Sequence, residues 1–265
     1  MLRTTLFGFL VSLTTLLASI EIYAQSADKK GKQIALAAIN KSNGFRDISS
    51  TIEMTTIEAS GKKTTREMNV KVLNIDNKDT IKSLLVFSKP KREKGVALLS
   101  HAFKTKKDKQ WLYLPNIRRI KKLAPKGRRG SFMGSEFSYS DLIPQSVEDF
   151  NYRYLKDDII EQRNCSVVER TPKNEGSLYS KQITWFDTEN HISLKTEFYT
   201  PQSKLIKTLL AKEVVTDKQG NSRPGLLIMK NHKTGRSTYL KDIDYQINTG
   251  LQEDEFTETA LEFSR

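Results

Sequence analysis

The sequence predicts a mostly β protein: one antiparallel sheet that curls, or a sandwich, preceded by a short helix. Three observations carry this. From Arg46 onward the apolar signal has period two, as in Ile48, Ser50, Ile52 and Met54 against Asp47, Ser49, Thr51 and Glu53. Turn residues recur between the runs, at Ser60-Gly61-Lys62, Asp76-Asn77-Lys78-Asp79, Asn174-Glu175-Gly176, Asp217-Lys218-Gln219-Gly220 and Lys233-Thr234-Gly235. Several runs are long, notably Leu205–Thr216 and Thr238–Ile247, and long strands in a meander favour a sheet that wraps around an interior.

The elements follow in order. Residues 1–24 read as a secretory signal, with Arg3 as the positive start, an apolar run from Leu6 to Ile20, and Ile22-Tyr23-Ala24 as a cleavage site before Gln25. That run is shorter than the ~20 residues of a spanning helix, and Glu21 interrupts it. The chain is therefore expected to be exported, with residues 25–265 as one domain. A short helix is expected over 29–42, with Asp28 as its cap, Ile34, Leu36, Ala37, Ala38 and Ile39 as its apolar face, and Asn43-Gly44 as its stop. Strands follow at Glu67–Ile75, Leu84–Ser88, Val96–Phe103, Gln110–Leu114, Tyr152–Glu161, Ser166–Arg170, Gln182–Asp187 and Ile192–Thr200. They continue at Leu205–Thr216, Gly225–His232 and Thr238–Ile247. The acidic end, Glu253 to Glu258, leads into a last helical turn or strand through Thr257, Ala260, Leu261 and Phe263.

Composition narrows the function. The 265 residues carry 44 Lys plus Arg against 31 Asp plus Glu, a net charge of +13. A mean hydropathy of −0.53 excludes a polytopic helical membrane protein. A single Cys excludes a disulfide framework and a Cys-based zinc cluster, and Cys165 in Cys165-Ser166-Val167-Val168 reads as a small buried apolar residue. Fifteen of the basic residues lie between Lys89 and Arg129, with only Glu93 and Asp108 opposing them, so this window holds the whole excess. Its bases fall at Lys89–Lys94, Lys104–Lys109 and Arg118–Arg129, which places a positive field at one end or along one flank of a meander. Export makes nucleic acid an improbable partner. An anionic lipid surface, an acidic partner protein, or a merely solvated face remain.

The most distinctive stretch is Trp111-Leu112-Tyr113-Leu114-Pro115, then Ile117-Arg118-Arg119-Ile120-Lys121-Lys122-Leu123. A Gly-rich loop follows, Gly130-Ser131-Phe132-Met133-Gly134-Ser135, in which Phe132 and Met133 are expected to be exposed, and then Phe137-Ser138-Tyr139-Ser140-Asp141-Leu142, with Ser140 or Asp141 capping a turn. The loop reads equally as a ligand gate or as a plug closing one end of a barrel. It is not a P-loop, since no Gly-Lys-Ser/Thr closes it.

These residues, with Phe87-Ser88-Lys89-Pro90 and Gly95 upstream, resemble the LolA-like family of outer-membrane lipoprotein-sorting proteins. The resemblance implies an incomplete, half-open antiparallel β-barrel with a few covering helical turns and an apolar cavity for acyl chains. It implies a periplasmic carrier of lipoprotein or other lipid, acting between envelope membranes or transporters. Cavity or gate candidates are then Trp111, Tyr113, Phe132, Met133, Phe137 and Tyr139. Candidates for headgroup, membrane or partner contact are Arg118, Arg119, Lys121 and Lys122. The alternative is a non-enzymatic adaptor or sensor that docks to an envelope transporter or anionic membrane through its basic face. No catalytic or metal constellation is recognisable, since there is no Gly-x-Ser-x-Gly or His-Glu-x-x-His, and His101, His191 and His232 fall on three separate expected strands. The expectation is no enzyme, no cofactor and no metal.

Overall fold

The computed structural model describes residues 25–42, 44–75, 79–174, 176–216 and 222–263; the expected signal segment, 1–24, lies outside them. A helix, α1, covers residues 25–42, starting earlier than expected and placing Asp28 inside it rather than at its cap. Six strands follow: β1 (Asp47–Ile57), β2 (Lys63–Ile75), β3 (Thr80–Lys89), β4 (Ala97–Phe103), β5 (Lys109–Leu114) and β6 (Arg119–Lys122). Seven more come after a long connection: β7 (Phe150–Ile160), β8 (Arg163–Pro172), β9 (Lys181–Asp187), β10 (Ser193–Tyr199), β11 (Leu205–Thr216), β12 (Ser222–Asn231) and β13 (Ser237–Ile247). A short helix, α2 (Glu258–Phe263), ends the described chain, so the acidic end resolves as helix rather than strand.

All thirteen strands form one antiparallel sheet in the order β6-β5-β4-β3-β2-β1-β13-β12-β11-β10-β9-β8-β7. It consists of two meanders, β1–β6 and β7–β13, joined where β1 pairs with β13 from Ile48 with Ile247 to Ile57 with Ser237. β6 and β7 are its two edges, and among the described residues no ladder joins them, so the expected half-open sheet is what the chain adopts. Sequence period two becomes two-sided burial. In β10, Leu194, Thr196 and Phe198 are buried while the residues between them are partly exposed.

Each face has its own cover. The inner face of the first meander presents Met54, Met68, Leu85, Phe87, Leu98 and Leu112, and the connection between β6 and β7 fills it with Leu123, Phe132 and Phe137. The outer face presents Leu73, Leu84, Ala97, Leu99, Trp111 and Tyr113, and the C-terminal segment covers it with Leu251, Phe256 and Leu261. Buried Asp47 pins that segment by accepting bonds from the Thr249 amide at 2.6 Å and its hydroxyl at 2.8 Å. Lys71 to Glu255 (2.6 Å) and Lys82 to Glu253 (3.0 Å) tie down its acidic stretch.

In the second meander, α1 is the inner cover. Ile34, Ala35, Ala38 and Ile39 recur at helical spacing and pack on Phe150, Tyr152, Val168 and Phe186. The approach is close: a Cβ on Gly31 would meet the Tyr154 amide nitrogen at 2.7 Å. Cys165 is fully buried on the other face, beside Val167 and Trp185.

Candidate functional site

The connection from β6 to β7 determines where space is left. Ser138 and Asp141 form a capping box, the Ser138 amide donating to the Asp141 carboxylate at 2.7 Å and the Asp141 amide to the Ser138 hydroxyl at 3.2 Å. The cap is therefore Ser138, not Ser140 or Asp141 as expected. Tyr179 donates to the same carboxylate at 3.1 Å, and burial raises the pKa of Asp141. Further along, the Glu136 amide donates to Thr238 at 2.9 Å, Lys207 donates to the Glu136 carbonyl at 2.6 Å, and Asn231 donates to its carboxylate at 2.6 Å. The loop is thus bolted to β11, β13 and the end of β12. Met133 (φ 49°) and Gly134 (φ 77°) turn the backbone left-handed, which drives Phe132 inward. Its ring stacks on Phe87 at 5.7 Å and meets Tyr139 edge-on at 5.6 Å.

The expected positions of these side chains need correction. Phe132 is 1% exposed, and Met133 is half-buried against the same cluster; neither stands out in solvent. The local signal of Gly-flanked apolar residues resembles an exposed tip, but tertiary contacts pull the ring into the core. Phe137 and half-buried Tyr139 lie in or against that cluster as well. Trp111 and Tyr113 point the other way, beneath the C-terminal segment, with His101 5.0 Å from the Trp111 ring.

An apolar opening lies between α1 and the inner face of the sheet, chiefly over the second meander. It is a groove of about 580 Å³, within the ordinary range for small-molecule sites. Ile39 of α1, Phe186 of β9, Leu209 of β11, Leu227 of β12, Leu240 of β13 and Ile52 of β1 line it. None of the six expected aromatic or Met candidates does. The lining residues were legible only as alternate apolar positions in long strands, and both faces of those strands carry them. The polar wall is orderly. Arg223 pairs with Asp242 at 2.5 Å and lies over the Tyr245 ring at 3.7 Å, and Ser50 donates to Asp242 at 2.6 Å.

The four expected contact bases sit together at the β6 edge. Arg118 occupies a left-handed turn (φ 48°), and Arg119, Lys121 and Lys122 follow on β6; all four are exposed. Lys122 reaches over the Trp111 ring at 5.8 Å. The turns before and after β4 lie at opposite ends of the sheet, so the basic window forms a flank along β3–β6, the second of the two expected arrangements.

Comparison with known proteins agrees with this architecture. Residues 79–263 match a family profile described only as an uncharacterized protein. No curated protein matches. An outer membrane lipoprotein-sorting protein domain from Vibrio parahaemolyticus is 34% identical, with a TM-score of 0.85 over 89% of this chain and 99% of that one. A DUF1329 family protein from Desulfovibrio piger shares the fold at 22% identity and TM-score 0.84, again over 89% and 99% of the two chains. A LolA superfamily protein from Nitrosomonas europaea does so at 19% and 0.67, over 85% and 98%. With 34% identity across nearly the whole Vibrio domain, the chain belongs to the outer-membrane lipoprotein-sorting family, and it has the fold of the LolA superfamily protein.

Proposed function

We propose that the protein is a periplasmic carrier that holds the acyl chains of a lipoprotein or another lipid in the groove beneath α1 and moves them between envelope membranes or transporters. The observation that carries this is the 580 Å³ apolar groove left open beside the filled part of the same inner face. Each methylene moved from water into such a site contributes about 0.8 kcal/mol, so a long chain binds usefully without chemistry. The action is one of binding and release, with no bond made or broken. Native mass spectrometry of protein purified without detergent, followed by uptake of a fluorescent fatty acyl probe, tests it. Leu227→Trp should fill the groove and abolish uptake, whereas Trp111→Phe on the opposite face should leave it unchanged. No co-purifying lipid and no uptake by the wild type would sink the reading.

A second reading, an adaptor docking to an anionic membrane or an envelope transporter, rests on the flank of exposed bases at Arg118, Arg119, Lys121 and Lys122. Each base near an anionic surface contributes about 1 kcal/mol. Replacing all four with Glu should abolish sedimentation with phosphatidylglycerol vesicles and leave acyl uptake intact. If vesicle binding survives, the flank has no docking role.

A further inference from the structure

A guanidinium in the groove has no counter-charge. Tyr152 of β7, Arg170 of β8 and Gln182 of β9 are paired in register across the three strands, forming a polar row under α1. Arg170 lines the groove. Its guanidinium donates to the Gln145 side-chain oxygen at 3.0 Å and lies 5.0 Å from the Phe150 ring, and no carboxylate of the described residues comes within ion-pairing distance. Asp141 attracts it only from farther away and is already engaged by Ser138 and Tyr179. The groove's other guanidinium, Arg223, is by contrast neutralised by Asp242.

The row is also short of hydrogen bonds. Arg170 Nε, the Tyr152 hydroxyl and Gln182 Oε1 are all buried with no partner in the protein. Tyr152 is 6% exposed and Gln182 3%. Unpaired buried polar atoms are rare and costly, and an unpaired buried charge more so. Burial pushes the Arg170 pKa down to about 10 and the Tyr152 pKa up to about 12, so at neutral pH the first remains a cation and the second a neutral donor. The Gln182 amide can turn its NH2 end to the same side by a flip. Arg170, the member of the row that lines the groove, is a cation with no counter-charge and with Nε lacking an acceptor, which calls for an oxyanion, and the apolar groove walls beside it call for a hydrocarbon.

We propose that the ligand is an acyl chain ending in an oxyanion, a carboxylate or a phosphate monoester, whose head seats on Arg170 while its chain runs along Leu209, Leu227 and Leu240. This rests on the groove being the acyl site and adds the class of headgroup it selects. Isothermal titration of the whole exported chain with palmitate, hexadecyl phosphate and hexadecanol tests it. In the wild type one or both anions should bind about tenfold or more tighter than the alcohol, as expected for a charged hydrogen bond. Which anion leads identifies the head. Arg170→Met should erase the preference while keeping hexadecanol binding, Arg170→Lys should restore part of it, and Lys106→Gln, exposed in the turn between β4 and β5 away from the groove, should leave it unchanged. Equal affinity of the wild type for palmitate, hexadecyl phosphate and hexadecanol would overturn the headgroup assignment while leaving the groove intact. Binding of none of the three would remove the groove reading itself, and this inference with it. The wild-type comparison needs no variant to fold.

Discussion

The two meanders are built from the same unit, a curled antiparallel ladder, and differ in what closes their inner face. In β1–β6 the chain closes it with its own connection, which puts Phe132 and Phe137 among Met54, Met68, Phe87 and Leu98. In the second meander α1 closes only the β7–β9 side and leaves the groove between itself and β11–β13. Burial in this fold is thus allotted by the covering segments rather than by the strands. Leu209, Leu227 and Leu240 border both the plug's cluster and the groove, so the plug stops part-way across the inner face and leaves these residues open on their α1 side.

The comparison breaks most visibly at Phe132. Phe132→Ala should cost about 3–5 kcal/mol in chemical denaturation, because it empties a fully buried ring site, while acyl uptake by the folded fraction stays normal. The converse result, normal stability with lost uptake, would make the loop a gate rather than a plug. A smaller effect is expected where α1 meets β7. Gly31→Ala places a methyl against backbone at 2.7 Å and should cost about 1–3 kcal/mol by thermal unfolding. It should also raise the off-rate of the acyl probe, since α1 must shift; an unchanged off-rate would show that α1 does not retain the ligand. The smallest effect concerns the outer face of the first meander. Burial lowers the pKa of His101 below its usual 6.5, and the bond from Lys71 lowers that of Glu255 below 4.5. Both groups favour the folded form in its deprotonated state, so both contributions are complete at neutral pH. The His101 share fades as pH falls below 6.5, and the Glu255 share as it falls below 4.5. Hydrogen-exchange protection factors at Leu251 to Leu261, corrected for the intrinsic pH dependence of exchange, should therefore fall on acidification before those of β3 and β4. Equal protection at pH 7 and pH 4 would contradict it.

Much of the fold was legible in the sequence because period two and turn chemistry are local. The strand runs, the first helix and the buried Cys165 follow from neighbours in the chain. The groove was not legible, because it depends on which segment covers which stretch of sheet. Trp111 and Phe132 lie in the stretch that carries the family resemblance, yet they face opposite sides of the sheet. Nothing in their spacing tells which cover each will meet. Arg170 was equally hidden. It sits at the end of an ordinary strand run, and only its place beside Tyr152 and Gln182 reveals it as a charge lacking a counter-charge.

The strand order also has a kinetic meaning. Every ladder except one joins strands adjacent in sequence, so each forms at the cost of closing a short loop. The exception is β1 with β13, which brings residue 48 to residue 247. Loop-closure entropy makes that ladder the last to zip, after each meander has formed from its own hairpins. Substitutions along β1–β13 should then chiefly accelerate unfolding, while those inside the hairpins of either meander should chiefly slow refolding.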